Sequence, residues 1–492
     1  MYRNHKHMTQ PTIEREVWDS NRKALFINLD RSIYGSFAEI GAGQEVARCF
    51  FQSGGASGTV ARTISAYDMA ISDYLYGKSP SGRYVSEDRL IQMLDKEYSS
   101  LVKLLKKEKP EDTRFFAFAN TVTTLNYKKD NEAHGWLGLR FQLKPDAPPN
   151  EVVLHVRLLE NDALHQQQTL GSLGVNLVYA CYYNYQYPNS FLKSLLDDIA
   201  DDSIEIDMIR MKGTELGYVD NRLLAVQLVK NGMTPVAMFD RHGDVQQPSD
   251  LLYRKNIMVL RGSFRPITYV GFDMLKTGFS LFKKDVGYDK NKRNTEVLCE
   301  ITLNNLIEKD DFDERDFLAR VDILCGMGQN VMISNFREFY KLAEWFQRFR
   351  INNIRMVIGA LTFRNIINKK YYSTLKGGIL EAFGKLFVKN LRVYIYPGKL
   401  KADCDILNID NMAIDKEIEF LYRHLKDNKY ILDIKGYRKD VLPYFSHVVL
   451  QKIKDNDESW EEMVPKYVSA FIKSKKLFGY GQDDSFSKNI VL

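Results

Sequence analysis

The chain has 492 residues, of which 45% are hydrophobic and 27% are charged, a composition typical of soluble globular proteins. This length predicts about two to four domains, because one hydrophobic core seldom serves more than about 250–300 residues. The 69 basic residues nearly balance the 63 acidic ones and leave a net charge of +6. Nucleic-acid binding is not expected, since its footprint needs positive charge concentrated on one face.

The cysteines and the N-terminal segment indicate a cytoplasmic protein. The five cysteines are scattered and form no CxxC pair, so neither a disulfide framework nor a structural zinc site is expected. The first residues, MYRNHKHMTQPTIERE, are polar and contain no apolar core of a secretory signal. No apolar run is long enough to span a bilayer, and a membrane is not an expected partner.

The first hundred residues begin with a polar tail at 1–22. Residues 23–30, KALFINLD, have the length and apolar content of a short buried strand. Residues 41–51 and 59–76 have helix-compatible apolar spacing. The clearest helix follows Ser86, which can cap it, and runs to about residue 107 with one apolar stripe and a charged outer face.

The rest of the first half alternates less regularly and predicts a mixed or antiparallel sheet with helices. Three strand candidates, separated by polar turns, are followed by two helices. The strands are at 114–123, 135–143 and 151–159, and the helices are at 162–185 and 189–200. We therefore predict an N-terminal α/β domain over residues 23–200.

From residue 204 onward, strand-like runs alternate with helical ones, as in IEIDMIRM, TPVAMFD, IMVLRG, EVLCEITL, NVMIS, NIRMVIGA and LRVYIYP. Alternation of this kind implies parallel strands joined by right-handed crossovers. We predict a doubly wound, largely parallel α/β domain at 201–400, in preference to a closed barrel. A hydrophilic spacer at 285–294 interrupts it, and residues 401–492 are predicted to be mostly helical with a docking helix at 460–478.

A glycine-rich stretch at 37–69 is the first candidate ligand site. Clustered glycines let backbone N–H groups converge on an anion, and nearby arginines add positive charge. The stretch is not a dinucleotide fingerprint, because Val46 occupies the third glycine position, and no lysine follows its last glycine. Tight turns and close helix packing explain the glycines equally well. The candidate ligand-binding residues here are Gly41, Gly43, Arg48, Gly54, Gly55, Ser57, Gly58, Thr59 and Arg62.

A second candidate site follows from the rule that ligands of parallel sheets bind outside the carboxyl ends of the strands. Asp207, Asp240, Arg261 and Glu300 end or interrupt predicted strands. Glu205 and Asp207 are two residues apart, so their carboxylates would share one face and could bind magnesium or divide acid and base roles. A solvated strand edge is the competing interpretation.

Glu300 and His134 are the two most informative single residues. Glu300 interrupts the apolar run VLCEITL, and a buried carboxylate is costly unless it is paired or functional. A salt bridge to an arginine is the competing explanation. His134, beside two glycines, is the better catalytic candidate among the strand histidines. Histidine on a strand is more often a hydrogen-bonded core or surface residue, which is how His155 is interpreted.

The informative segments include SIYGSFAEIGAGQEVARCFFQSGGASGTVARTISAYDM, HGWLGLRFQ, RGSFRPIT and GGILEAFGKLF. Together they resemble one family of bacterial proteins of about this length. That family carries two incompatible labels, nicotinate-nucleotide adenylyltransferase and TonB-dependent receptor. The first label implies adenylyl transfer in nicotinate metabolism, yet the HxGH phosphate motif of such enzymes is missing. The second implies an outer-membrane barrel, yet no succession of amphipathic strands is present. Neither label transfers a catalytic residue to this chain.

Two hypotheses from different classes follow. The first is a cytoplasmic enzyme or enzyme-like protein that binds a nucleotide or another phosphorylated small molecule, with a nucleotide and magnesium as the candidate cofactors. The second is a non-catalytic scaffold that holds a partner or assembles with itself as a homo-oligomer. No HExxH or GxSxG motif is present, which disfavours zinc hydrolysis and elbow-type serine hydrolysis.

Overall fold

The computed structural model describes residues 16–286, 294–308, 311–399 and 405–481. The chain divides into two compact units, Met1–Val219 and Asp220–Leu492. Most of the predicted tail and of the hydrophilic spacer at 285–294 lies outside the described residues, as does Cys404. No helix in the described ranges has both the length and the apolar content that a membrane crossing requires.

Six strands build the mixed sheet of the first unit, in the order β2-β1-β3-β4-β5-β6. The strands are β1 (Ile33–Gly41), β2 (Val60–Ala66), β3 (Arg114–Thr123), β4 (His134–Phe141), β5 (Asn150–Leu158) and β6 (Ile204–Lys212). Strands β2, β1 and β3 are parallel, and the pairs from β3 to β6 are antiparallel. The predicted mixed sheet is confirmed.

Helices cover both faces of this sheet. They are α1 (Ser20–Leu29), α2 (Val46–Gln52), α3 (Met69–Tyr76), α4 (Glu87–Leu105), α5 (Ala163–Tyr183) and α6 (Pro188–Leu195). Successive side chains of β3 point to opposite faces. Ala117 belongs to a cluster with Tyr98 and Leu101 of α4, whereas the Phe116 ring lies 6.3 Å from Tyr182 of α5. The sheet is therefore a buried layer between α4 and α5.

The predicted strand at residues 23–30 is wrong, because this segment lies in α1. The Asp19 side chain caps the helix by accepting from the Arg22 N–H. The buried residues are Lys23, Ala24, Ile27 and Asn28, which share one helical face by their i, i+3 and i+4 spacing. The apolar run that suggested a strand is the part of α1 in which Leu25 and Phe26 remain exposed.

The predicted helix at residues 59–76 is also wrong in its first half. Residues 60–66 form the edge strand β2, which pairs with β1 in parallel. Asp68 then caps α3 by accepting from two backbone N–H groups. Tertiary pairing with β1 decides the structure here, since short segments follow their packing more than their propensity.

In the described part of the second unit there are ten strands. They are β7 (Val236–Phe239), β8 (Val245–Gln246), β9 (Asn256–Arg261), β10 (Thr295–Thr302), β11 (Ile307–Glu308), β12 (Asp311–Phe312), β13 (Asn330–Ser334), β14 (Asn353–Gly359), β15 (Leu391–Tyr396) and β16 (Ile431–Asp433). Eight of them form an open sheet in the order β16-β15-β14-β9-β10-β13-β7-β8, and β11 pairs only with β12. The predicted doubly wound, largely parallel sheet is confirmed.

The helices of the second unit are α7 (Asn221–Lys230), α8 (Pro248–Leu252), α9 (Tyr269–Asp285), α10 (Glu314–Gly326), α11 (Phe339–Phe346), α12 (Ala360–Ile366), α13 (Gly378–Leu386), α14 (Glu419–Asp427), α15 (Ser446–Lys454) and α16 (Lys466–Lys475). Ile257 and Val259 of β9 pack in one core cluster with side chains of α11 to α14. The alternate residue Met258 faces α9, near Gly278. The predicted helical C-terminus is confirmed.

Strand order locates the switch point of the second sheet. Strands β13, β10, β9, β14, β15 and β16 are mutually parallel neighbours. Counted from β9, their order is 3-2-1-4-5-6, so the winding direction reverses between β9 and β14. In sheets of this kind, ligands bind at the carboxyl ends of the strands beside that reversal.

Strand β6 ends the first sheet. The sequence placed IEIDMIRM at the start of the alternating region, after residue 200. In the structure this segment pairs antiparallel with β5 along its whole length, and the change of unit follows Val219. The alternation that identifies the doubly wound region therefore begins with α7.

The cap of α4 gives a prediction for stability. Ser86 Oγ accepts from the Arg89 N–H, so Ser86→Ala should reduce the free energy of unfolding of the first unit by about 1 kcal/mol. Ser99→Ala makes the same change on the exposed side of the same helix and should be neutral or slightly stabilising. Urea-dependent amide exchange of α4 peptides measures both; equal effects would contradict the role of the cap.

Candidate functional site

A cleft of about 470 Å³ opens at the switch point of the second sheet. Its walls come from the carboxyl ends of the central strands: Arg261 ends β9 and Gly262 follows it, Thr302 ends β10, and Gly359 ends β14. Arg337, in the connection after β13, also lines it. The cleft is where the strand order predicts a ligand site.

A buried ion pair supports one wall of the cleft. Arg261 donates through Nε and Nη2 to the two oxygens of Glu300, at 2.9 and 2.8 Å. Ser334 Oγ donates to the same carboxylate at 2.6 Å, and Arg261 Nη1 donates to the Arg337 carbonyl. Because both oxygens of Glu300 are engaged, this carboxylate holds Arg261 in place, as the salt-bridge interpretation expected.

The open groups of the cleft are polar. Arg337 is exposed, and in the described part of the chain its guanidinium has no hydrogen-bond or ion-pair partner. Asn304, Asn305 and Thr362 line the cleft with amide and hydroxyl groups. Phe339 adds an aromatic wall, over which Arg261 lies 4.2 Å from the ring centroid. This set suits an anionic ligand with hydrogen-bonding groups.

Two glycines, Gly262 and Gly359, line the cleft. The turn between β9 and α9 reads RGSFRPIT and has a single glycine, Gly262, so it lacks the dinucleotide fingerprint. Gly359 has φ −67° and ψ 144°, a conformation that any residue adopts. A Cβ on Gly359 would meet no atom within 4 Å, which makes this position suitable for filling the cleft.

Asp240 lies at the opposite edge of the second sheet. Strand β7 is antiparallel to β13, and its last residue, Phe239, pairs with Val331 near the start of β13. Asp240 accepts from the His242 and Asp244 N–H groups and from Gln246 Nε2, so it organises the turn between β7 and β8. The structure thus brings Arg261 and Glu300 together and places Asp240 elsewhere.

The glycine-rich stretch lies in the first unit, where a protein carboxylate occupies the start of α2. Glu39 accepts from the Val46 and Ala47 N–H groups at 2.9 and 3.2 Å, and from Asn120 Nδ2. Glu39 is 4% exposed, and burial raises its pKa to about 7. The backbone groups that an external anion would use here are already bonded internally.

The remaining residues of the stretch make structural contacts. Gly41 has φ +77°, and a Cβ there would lie 2.3 Å from the Val122 carbonyl oxygen. Asn28 donates to the Gly54 carbonyl, and the Thr59 hydroxyl donates to the Ile27 carbonyl. The other candidates pack or pair as follows: Gly43 against Asn120, Gly55 and Gly58 against Asn28, Arg48 with Glu45, and Arg62 with Glu97, while Ser57 is exposed. Their ligand contacts remain predictions.

Three side chains of the first unit form a hydrogen-bonded chain. His134 Nδ1 lies 3.1 Å from His155 Nε2, and His155 Nδ1 lies 2.6 Å from Asp207 Oδ1. His155 and Asp207 are buried, and the Trp136 ring lies 4.9 Å from the His155 ring. The sequence singled out His134 and Asp207 separately and interpreted His155 as structural.

A register shift makes this chain possible. His155 pairs with Met208 and Val156 pairs with Ile206, so Asp207 is an extra residue on β6. Such a bulge redirects a side chain, and here it breaks the simple alternation that placed Asp207 on one face with Glu205. No cluster of three or more potential metal ligands occurs in the described ranges, and a magnesium site remains a prediction.

Sequence reasoning missed Arg337, Asn304 and Gly359 as members of the cleft. The strand-end rule found Arg261 and Glu300, and its application to NIRMVIGA would also have found Gly359. Arg337 and Asn304 lie in connections three residues or fewer beyond a strand, where sequence pattern does not show which side chain turns toward the switch point.

Comparisons with solved structures match part of the chain to competence- and damage-inducible proteins. One from Agrobacterium tumefaciens is 18% identical, and the match covers 33% of this chain and 95% of that protein at a TM-score of 0.25. A CinA superfamily protein from Enterobacter cloacae is 13% identical over 39% of this chain and 99% of its own, at a TM-score of 0.24. One from Escherichia coli is 14% identical, covering 37% and 95%, with a TM-score of 0.23.

No protein-family model matches the chain, and no curated protein matches it. Neither label of the resembling bacterial family therefore gains support from a sequence comparison. The structural matches have low identity and low TM-scores, and they carry no argument about ligand or reaction. The function must be inferred from the residues of the sites themselves.

The raised pKa of Glu39 predicts a pH dependence of stability. Because the folded protein holds this proton more tightly than the unfolded chain, the stabilisation is complete below pH 4.5 and is lost as the pH rises through about 7. The loss is at most about 3 kcal/mol. Glu39→Gln should abolish this part of the pH dependence, whereas exposed Glu108→Gln should retain it.

Urea-dependent amide exchange of β1 peptides at pH 5 and pH 8 measures the difference between the variants. At each pH the variant is compared with the wild type, so the intrinsic exchange rates, which depend on pH, cancel. Equal pH dependence in the wild type and in Glu39→Gln would show that this carboxyl is not the titrating group.

Proposed function

We propose that the second unit binds a phosphate-bearing small molecule, in the first instance a nucleotide, in the switch-point cleft. The observation that carries the proposal is the position of that cleft, at the carboxyl ends of β9, β10 and β14 in a sheet of order 3-2-1-4-5-6. Dinucleotide-binding domains have this strand order and bind their ligands at this place. The fold supports the location of the ligand site, and the lining side chains support the class of ligand.

The lining supports an anionic ligand of moderate size. A volume of about 470 Å³ lies within the range of about 300–1,000 Å³ common for small-molecule sites. Arg337, whose guanidinium has no partner within the described ranges, can bind phosphate through paired N–H groups. Since the β9–α9 turn lacks the dinucleotide fingerprint, a mononucleotide or sugar phosphate fits the site better than a dinucleotide.

The proposal concerns binding rather than a particular reaction. Glu300 has both oxygens engaged by Arg261 and Ser334. None of the described residues that line the cleft is a carboxylate or a histidine. Acid–base chemistry in this cleft would therefore need a group from the ligand or from a bound water.

The test is ligand-dependent stability combined with a variant that fills the cleft. ATP, ADP, AMP, ribose 5-phosphate and inorganic phosphate are added to the full chain during thermal unfolding. A ligand at about a hundred times its Kd should stabilise the second unit by roughly 2.7 kcal/mol. We expect the shift with at least one nucleotide, together with amide-exchange protection in peptides that contain Arg261 and Gly359.

Gly359→Val should abolish this shift without unfolding the protein, because its Cβ would enter open space. Gly384→Val is the matched control, since a Cβ at this exposed glycine of α13 would also meet nothing within 4 Å. Arg337→Ala should weaken binding of the phosphate-bearing ligands by about tenfold or more. A shift that survives in Gly359→Val, or no shift with any ligand, would refute the proposal.

A further inference from the structure

The histidine chain of the first unit lies outside the proposed nucleotide site and has a defined direction. A carboxylate only accepts hydrogen bonds, so the His155 Nδ1–H donates a hydrogen bond to Asp207 Oδ1. In the neutral state of His155, its Nε2 carries a lone pair and accepts a hydrogen bond from the His134 Nδ1–H. In this state, His134 Nε2 is an unprotonated nitrogen at the end of the chain.

The free end of the chain is reachable. His134 is partly exposed, and its Nε2 is neither bonded within the described residues nor buried. Burial, followed by the positive charge that His155 carries when protonated, lowers the pKa of His134 to about 4 despite the opposing Asp207 charge. The imidazole is thus neutral at ordinary pH and able to accept a proton.

The surroundings of His134 resemble a ligand site rather than a packed core. His134 begins β4 and pairs with Thr123 at the end of β3, so it lies at the carboxyl edge of the parallel strands, where ligands of such sheets bind. Thr121 Oγ1 donates to the Tyr84 carbonyl and fixes the loop beside this edge. Arg83, the preceding residue, is exposed, and its side chain has no partner in the described ranges.

Asp207 provides a second, independent indication of function. It is 3% exposed, and its buried Oδ2 has no hydrogen-bond partner among the residues that the structure describes. An unsatisfied buried carboxylate oxygen costs on the order of 1–3 kcal/mol or more. Groups kept at such a cost are concentrated at functional sites.

We propose that these residues form an acid–base site in the first unit, in which His134 Nε2 takes a proton from an anionic substrate held against Arg83. His134 is the catalytic residue. His155 and Asp207 are positioning residues that fix its tautomer and compensate its charge. The substrate is an anion, such as a phosphate ester or a carboxylate, that carries an acidic O–H or N–H group.

The proton transfer balances within the site. The substrate O–H bond breaks, its electron pair stays on the oxygen, and the proton forms the Nε2–H bond of His134. The Nδ1 proton of His134 shifts toward His155, and the negative charge of Asp207 offsets the positive charge of the chain. Return of the proton from Nε2 to the product or to water restores the starting state.

The first experiment measures the reactivity of each histidine toward diethyl pyrocarbonate at pH 7 and pH 5, followed by mass spectrometry of the full chain. His134 stays neutral at pH 5, so it should react at pH 5 nearly as fast as at pH 7, whereas an imidazole with the reference pKa loses most of its reactivity over this range. Asp207→Asn should slow the reaction of His134 by several-fold or more. An unreactive His134 in the folded protein would overturn the proposal.

Two further measurements keep the proposal testable if the buried variant does not fold. Nitrogen-15 shifts of the wild-type imidazole rings report the tautomer directly, and a proton on His134 Nε2 at pH 7 would overturn the proposed direction. Inorganic phosphate should protect His134 from diethyl pyrocarbonate, and Arg83→Ala should remove this protection while exposed Arg31→Ala keeps it. Absence of protection by phosphate would refute the anion site.

Discussion

The buried carboxylate of Glu300 is the constraint on which the cleft of the second unit depends. A charge within an apolar strand is tolerated only if its hydrogen-bonding capacity is filled. Arg261 and Ser334 fill it from the two neighbouring strands, and the same arginine bonds the Arg337 carbonyl. One ion pair therefore fixes the carboxyl ends of β9, β10 and β13 and the connection that carries Arg337. A ligand site built on such ends is preorganised.

In the first unit, the carboxylate near the end of β1 is used internally. Glu39 accepts hydrogen bonds from N–H groups at the start of α2 and from Asn120. The glycines beside it allow the close approach of β1 to β3. A glycine cluster beside a helix start is thus ambiguous in sequence, because an internal carboxylate and an external phosphate need the same backbone. The contacts of Glu39 favour the internal carboxylate.

Long periodic elements could be predicted from the sequence, and short ones could not. The stripe and cap of α4, the strand β3 and the alternation of the second half were all recognisable, because many residues repeat one pattern. Residues 23–30 and 60–66 are too short for their apolar pattern to separate helix from strand. Pairing with β1 decides the structure of 60–66, and packing of α1 against α2 and α5 decides that of 23–30. The candidate cleft was half predictable, since strand-end rules find Arg261 and Glu300 but not side chains in the connections.

The histidine chain shows what a sequence pattern cannot contain. His155 reaches Asp207 only because one extra residue interrupts the pairing of β5 with β6, and strict alternation would have assigned Asp207 a different neighbour. A structural role alone does not explain the arrangement, because a purely structural partner for His155 would not need a second buried oxygen left unbonded. A histidine pair that gains and loses a positive charge during proton transfer does need a carboxylate, since only an ionised group can compensate an imidazolium. The proposed acid–base role would account for both the cost at Asp207 and the open nitrogen at His134, since each is needed for a proton that arrives from outside the protein.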